Sequence, residues 1–195
     1  MDRLGLDPES SVFDATGTGF GIGLVGRRAE LATLRKAMDE IRWGRQLTVQ
    51  IRGRSGMGKT ALVQEFLEDV DASGGLVLSG RCYERESVPF KALDPLVDAL
   101  ARHLLTLDEA ERIALLPPDI GLLGRVFPVV DRLHAGGSLD LEIGDPLEQR
   151  RRAFAALKEL LDRVARRQPL VVHIDDLQWS DGDSLGRLRE LLRPP

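Results

Sequence analysis

Residues 47–67 read LTVQIRGRSGMGKTALVQEFL, and the middle of that stretch decides the fold. Leu47 to Arg52 alternates apolar and polar positions, with β-branched residues among them, which predicts a strand. Ala61, Leu62, Phe66 and Leu67 fall on one side of a 3.6-residue repeat, which predicts a helix. Between them, Gly53-Arg54-Ser55-Gly56-Met57-Gly58-Lys59-Thr60 matches the phosphate-loop pattern G-x-x-x-x-G-K-[ST] without a departure. The chain's own frequencies of Gly, Lys, Ser and Thr give about 0.003 matches by chance, so composition does not explain it. The chemistry does explain the spacing. Glycines let consecutive backbone N–H groups wrap a polyphosphate where a Cβ would obstruct it, and the helix N-terminus adds the positive end of its dipole. Lys59 would reach the β- and γ-phosphates, and the Thr60 hydroxyl would ligate Mg²⁺. The plain alternative, a glycine-rich turn with no ligand, fits the strand–loop–helix context less well.

Ahead of the loop, Leu31, Leu34, Met38 and Ile41 recur at helical spacing. Residues 1–22 carry Gly, Ser, Thr and Asp without periodicity and read as a flexible lead-in. After the loop, Leu76 to Ser79 predicts a second strand, and Leu93, Leu96, Val97 and Leu100 a further helix. The middle section, broken at Pro117-Pro118 and at Gly136-Gly137, yields no clear period. Asp145-Pro146-Leu147-Glu148 predicts a helix start, with Asp145 as N-cap, Pro146 in the first turn and Glu148 closing a capping box. Phe154, Leu157, Leu160, Leu161 and Val164 line one face of that helix, and Pro169 ends it. Leu170 to Ile174 is almost wholly apolar, as in a strand buried on both faces of a parallel sheet. The expected fold is α/β, a P-loop NTPase with a parallel sheet flanked by helices.

Asp175 and Asp176 close that last strand. Open α/β sheets bind ligands at the C-terminal edge of their strands, so Asp175 is the candidate for Mg²⁺, through water, and Asp176 for the attacking water. The competing reading makes Asp176 or Ser180 a helix N-cap. His173 reads as sheet packing.

Four segments together resemble a known family: LVGRRAELATL, IRGRSGMGKTALVQEFL, GRCYERESVPFKALDPLVDAL and PLVVHIDDLQWSDGDSL. They look like the bacterial origin-recognition-like AAA ATPase domain, which is similar to the nucleotide module of STAND signalling ATPases. The similarity covers residues 24–195, and the domain is placed at 23–195. It implies ATP with Mg²⁺ as ligands and puts Arg27 of VGR near the nucleotide, with Val25 or Gly26 against the adenine. A solvated arginine at a helix start is the other reading of Arg27. In AAA enzymes the second acid of the strand is usually Glu, and here it is Asp176, a shorter side chain that suits a slow switch. The family's sheet order, 5-1-4-3-2, assigns Leu47–Arg52, Leu76–Ser79 and Leu170–Ile174 to strands 1, 2 and 3. Strand 4 and the elements beyond it have no counterpart, so the chain is expected to be the N-terminal part of a longer protein with effector domains downstream. Nucleotide-dependent self-association is a further expectation.

Composition narrows the partners. Lys+Arg 27 against Asp+Glu 31 gives a net charge of −4, and 43% of residues are hydrophobic, so the chain is neither a disordered tail nor a wholly basic nucleic-acid binder. No apolar run approaches a membrane span, and the N-terminus is unlike a secretory signal. One cysteine, Cys82, reads as a buried thiol in a reducing, cytoplasmic setting. There is no asparagine, so the N-K-x-D guanine-selecting motif is impossible and ATP is favoured over GTP. Asp183-Ser184-Leu185-Gly186 matches D-x-x-G but lies past the strand end. The arginines of residues 150–167 are interleaved with acids and read as an ion-paired face, and Trp179 as filling of the sheet–helix interface, the other reading being packing over the nucleotide-facing loop. Two other functions stay open beside a slow ATPase switch: a nucleotide-dependent scaffold that never hydrolyses, and an initiator-like DNA-binding ATPase.

Overall fold

A computed structural model of the chain describes residues 26–84, 93–133 and 145–180, with 186, 188 and 191. The predicted lead-in over 1–22 lies outside them, as do residues 181–185 and 192–195. The chain divides into two compact units between Gly75 and Leu76.

The first unit is built on two helices. Helix α1, Arg28–Arg42, buries Leu31, Leu34, Ala37 and Met38. Helix α2, Lys59–Ala72, buries Leu62, Phe66 and Val70. That stripe corrects the predicted face: its i, i+4 spacing carries it to Val70, leaving Ala61 exposed and Leu67 half-buried. The helices pack together, and Arg35 of α1 donates to Asp69 Oδ2 of α2 through Nε (2.9 Å) and a terminal nitrogen (2.6 Å).

Leu47 to Arg52 departs from expectation. Its burial alternates as a strand's would, with Leu47, Val49 and Ile51 half-buried and Thr48, Gln50 and Arg52 exposed, yet it joins no ladder among the described residues. The cause lies in the expected sheet order. Strand 1 pairs with strands 4 and 5, neither of which the described residues contain, and alternation without a partner is not a sheet.

The second unit holds the sheet. Strand β1, Leu76–Arg81, and strand β2, Leu170–Asp175, pair in parallel with Leu76 opposite Leu170 and Arg81 opposite Asp175. These are the segments expected as strands 2 and 3, neighbours in the predicted order. Around them lie α3 (Asp94–Thr106), α4 (Glu109–Leu115), α5 (Ile120–Val126), a 3₁₀ turn at Pro128–Leu133 and α6 (Pro146–Ala165). The unperiodic middle is therefore three short helical pieces, with Pro117-Pro118 between the first two and Pro128 opening the third. None is long enough to display a repeat. They bury Leu115, Leu123, Phe127 and Val130 in one core with Leu78, Leu96, Leu100, Leu157 and Leu160. Phe127 and Phe154 meet edge to face at 6.2 Å, a geometry favoured by the aromatic quadrupole. Helical Leu188 and Leu191 join the same core.

Helix α6 begins as predicted with Asp145, whose carboxylate accepts from Leu147 N at 3.0 Å. The capping box does not form. Glu148 instead turns both oxygens to Arg151, accepting at 2.8 and 2.6 Å, because a guanidinium one turn away offers two charge-assisted bonds where the box offers one. The arginine-rich face is ion-paired as expected, Arg152 with Asp119 and Arg163 with Glu159. Among the described residues, no helix is long and apolar enough to cross a membrane.

Candidate functional site

The sequence-predicted residues gather into two clusters, one in each unit. In the first unit the phosphate loop runs from Gly53 to the start of α2. Gly56 (φ 79°) and Gly58 (φ 75°) both take left-handed backbone, which non-glycine residues adopt only at a cost. A Cβ built on either would meet no protein atom within 4 Å. Packing therefore does not demand glycine there; the backbone shape does, and a side chain would project into the open face of the loop. The loop leads directly into the N-terminus of α2, the arrangement that receives a polyphosphate. Lys59 arches over it, its Nζ donating to Gly53 O at 2.9 Å and Arg54 O at 3.0 Å. Thr60 stands exposed one residue on.

Arg27 comes to this loop. One terminal nitrogen donates to the Met57 carbonyl at 2.5 Å and the other to Glu30 Oε1 at 3.0 Å. Gly26, exposed and left-handed at φ 87°, precedes it.

In the second unit, parallel pairing carries the C-terminal ends of β1 and β2 to one edge. Asp175 accepts from the Asp176 N–H at 2.9 Å. Asp176 leaves the strand in left-handed backbone at φ 54°, the one non-glycine residue that does so among those described. Both of its oxygens accept from side chains: Oδ2 from Arg81 Nε and a terminal nitrogen at 3.0 and 2.7 Å, and Oδ1 from Gln178 Nε2 at 3.0 Å. The bond to Asp176 raises Arg81 further above the ordinary guanidinium range. Arg81 also lies 5.6 Å from the Tyr83 ring centre. Burial pushes the His173 imidazole below its ordinary value, partly offset by Asp175.

Arg81 and Gln178 are neighbours of the site that sequence reasoning missed. A signal existed: a charged residue ends β1 inside the RCYE segment, at the edge where the acidic pair ends β2. Trp179 corrects another expectation. It is 46% exposed, and Leu177 beside it is also exposed, so neither fills an interface. A single turn of 3₁₀ helix follows Asp176 there, too short to bury a face. Cys82 is buried, as expected, and its N–H extends the ladder to Asp175 O at 3.1 Å.

The model of the AAA ATPase domain matches residues 23–195. The chain belongs to that family. This AAA ATPase domain is a nucleotide-binding ATPase module with a P-loop NTPase fold, and AAA ATPases generally bind ATP with Mg²⁺. It is 30% identical over 177 residues to an uncharacterised protein of Rhizobium meliloti (strain 1021), covering 87% of this chain. The AAA ATPase domain spans 17% of that relative's length. No solved structure matches it. Among its described residues no group of three or more His, Cys, Asp or Glu could hold a metal. Mg²⁺ needs no such cage when substrate phosphates, water and one or two protein oxygens complete its shell.

Proposed function

We propose that the chain is the ATP- and Mg²⁺-binding module of a regulatory ATPase of the signalling type its sequence resembles, hydrolysing ATP slowly to reset a conformational switch. The observation that carries this reading is the loop Gly53–Thr60, with left-handed Gly56 and Gly58 at the head of α2. In this assignment residues 23–195 act as one ATPase domain, with Gly53–Thr60 receiving the phosphates. Lys59 leaves the carbonyls of Gly53 and Arg54 for the β- and γ-phosphate oxygens, a stronger, charge-assisted pairing. Thr60 and Asp175 are the Mg²⁺ ligands, Asp175 through water, and Asp176 orients the attacking water. Bound Mg²⁺ would neutralise charge developing on the phosphates. The domain would act in the cytoplasm on effector segments of its own longer protein, with nucleotide-dependent self-association as one output.

One observation favours a second reading, a scaffold that binds ATP without turnover. Asp176 already accepts from Arg81 and Gln178, so both of its oxygens are engaged by protein donors before any water is oriented. The two readings share a test of binding and differ in turnover. Lys59→Ala is expected to weaken ATP binding at least about tenfold by titration calorimetry; retained affinity would sink both. Phosphate release that Asp176→Asn abolishes supports the switch, and its absence in the unsubstituted chain supports the scaffold.

A further inference from the structure

Arg27 occupies a position that helix chemistry argues against. It is the N-cap of α1, makes no side-chain capping bond, and has φ −112°. N-caps are ordinarily Ser, Thr, Asp or Asn, and a cation there opposes the helix dipole. A local rule broken without local gain points to a task elsewhere, and the geometry shows where the side chain goes. Glu30, in the first turn of α1, holds one guanidinium nitrogen at 3.0 Å, and the other donates to the Met57 carbonyl at 2.5 Å. The Arg27 side chain as a whole is 26% exposed.

The Met57 carbonyl and the Gly58 N–H belong to one planar trans peptide, so they point in opposite directions. Fixing the carbonyl on the Arg27 side presents the Gly58 N–H on the other face of the loop. That peptide needs fixing. Gly56 and Gly58 give the loop its shape, and the same freedom lets the peptide between Met57 and Gly58 rotate away. A cation on the carbonyl also polarises the peptide and strengthens its N–H as a donor.

From this geometry we infer that Arg27 is a positioning residue of the phosphate loop. Clamped by Glu30, it holds the Met57 carbonyl so that the Gly58 N–H is aimed at a bound phosphate, and it acts on the polyphosphate without touching the nucleotide. This inference rests on the proposed nucleotide reading. The test measures affinity of the full chain for ATP, inorganic tripolyphosphate and adenosine by titration calorimetry, for the unsubstituted protein, Arg27→Gln and Arg27→Lys. Arg27→Gln is expected to weaken ATP and tripolyphosphate by the same factor, about tenfold for one charge-assisted bond, and to leave adenosine unchanged. Arg27→Lys, which keeps the charge and one donor, is expected to recover part of that loss. If Arg27→Gln fails to fold, Arg27→Lys decides alone, by a loss confined to the two phosphate ligands. Loss of ATP and adenosine affinity with tripolyphosphate unchanged would make Arg27 an adenine contact and overturn the inference. Unchanged affinities for all three would overturn it too. Failure of the unsubstituted chain to bind either ATP or tripolyphosphate would overturn the nucleotide reading and this inference with it.

Discussion

Glycine is required at two places in the phosphate loop for a reason that a substitution can isolate. Gly58 has φ 75° and open space where a Cβ would be, whereas a Cβ on Gly53 would make ordinary contact with Lys59 Cδ at 3.6 Å. Left-handed backbone costs a non-glycine residue about 1–2 kcal/mol. Gly58→Ala is therefore expected to weaken ATP binding about 5- to 30-fold, because the loop either strains or loses its shape, while Gly53→Ala has the smaller effect. Calorimetric titration of both variants checks the order, and equal losses would count against a conformational role for Gly58. Lys59 and its glycines were legible from spacing alone. Arg81 and Gln178 were not, because their relation to Asp176 spans 95 residues in one case and a local left-handed turn in the other.

Among the elements, α6 separates what capping rules foresee from what side chains choose. Asp145 and Pro146 start the helix as the pattern predicts, but Glu148 pairs with Arg151 instead of returning to the backbone of Asp145. Asp145→Ala is expected to cost about 1 kcal/mol, whereas Glu148→Ala removes only an exposed pair one turn apart and is expected to cost less. Urea unfolding of the two variants measures the difference, and a Glu148→Ala cost as large as that of Asp145→Ala would restore the capping box. Long helices were readable because they bury a stripe over several turns. The seven-residue α4 and α5 complete too few turns to show one.

At the scale of the molecule, two histidines of the second unit set a pH response. Burial lowers both His103 on α3 and His173 on β2 below the ordinary imidazole value, with Asp175 partly countering it at His173. The unfolded chain therefore binds more protons than the folded one once pH falls below about 6.5. Stability tied to these groups is complete above that value and is lost as pH drops through it toward the depressed folded values. The melting temperature is expected to fall between about pH 7 and 5, and the double variant His103→Gln, His173→Gln to show a flatter profile. Identical profiles by calorimetry would refute the assignment.

The phosphate loop, the long helices α1, α2, α3 and α6, the segments of β1 and β2, and the family were legible in the sequence. Each rests on local spacing: a Gly–Lys–Thr pattern, a 3.6-residue stripe, an apolar run ending in two aspartates. Tertiary structure decided the rest. Pairing is a relation between distant segments, so Leu76–Arg81 and Leu170–Asp175 became a parallel sheet while Leu47–Arg52, patterned as clearly as either, joined no ladder among the described residues. Contacts made across the chain likewise brought Arg27 to Met57 and Arg81 to Asp176, because a long flexible cation is placed by the partner it finds and not by its neighbours in sequence.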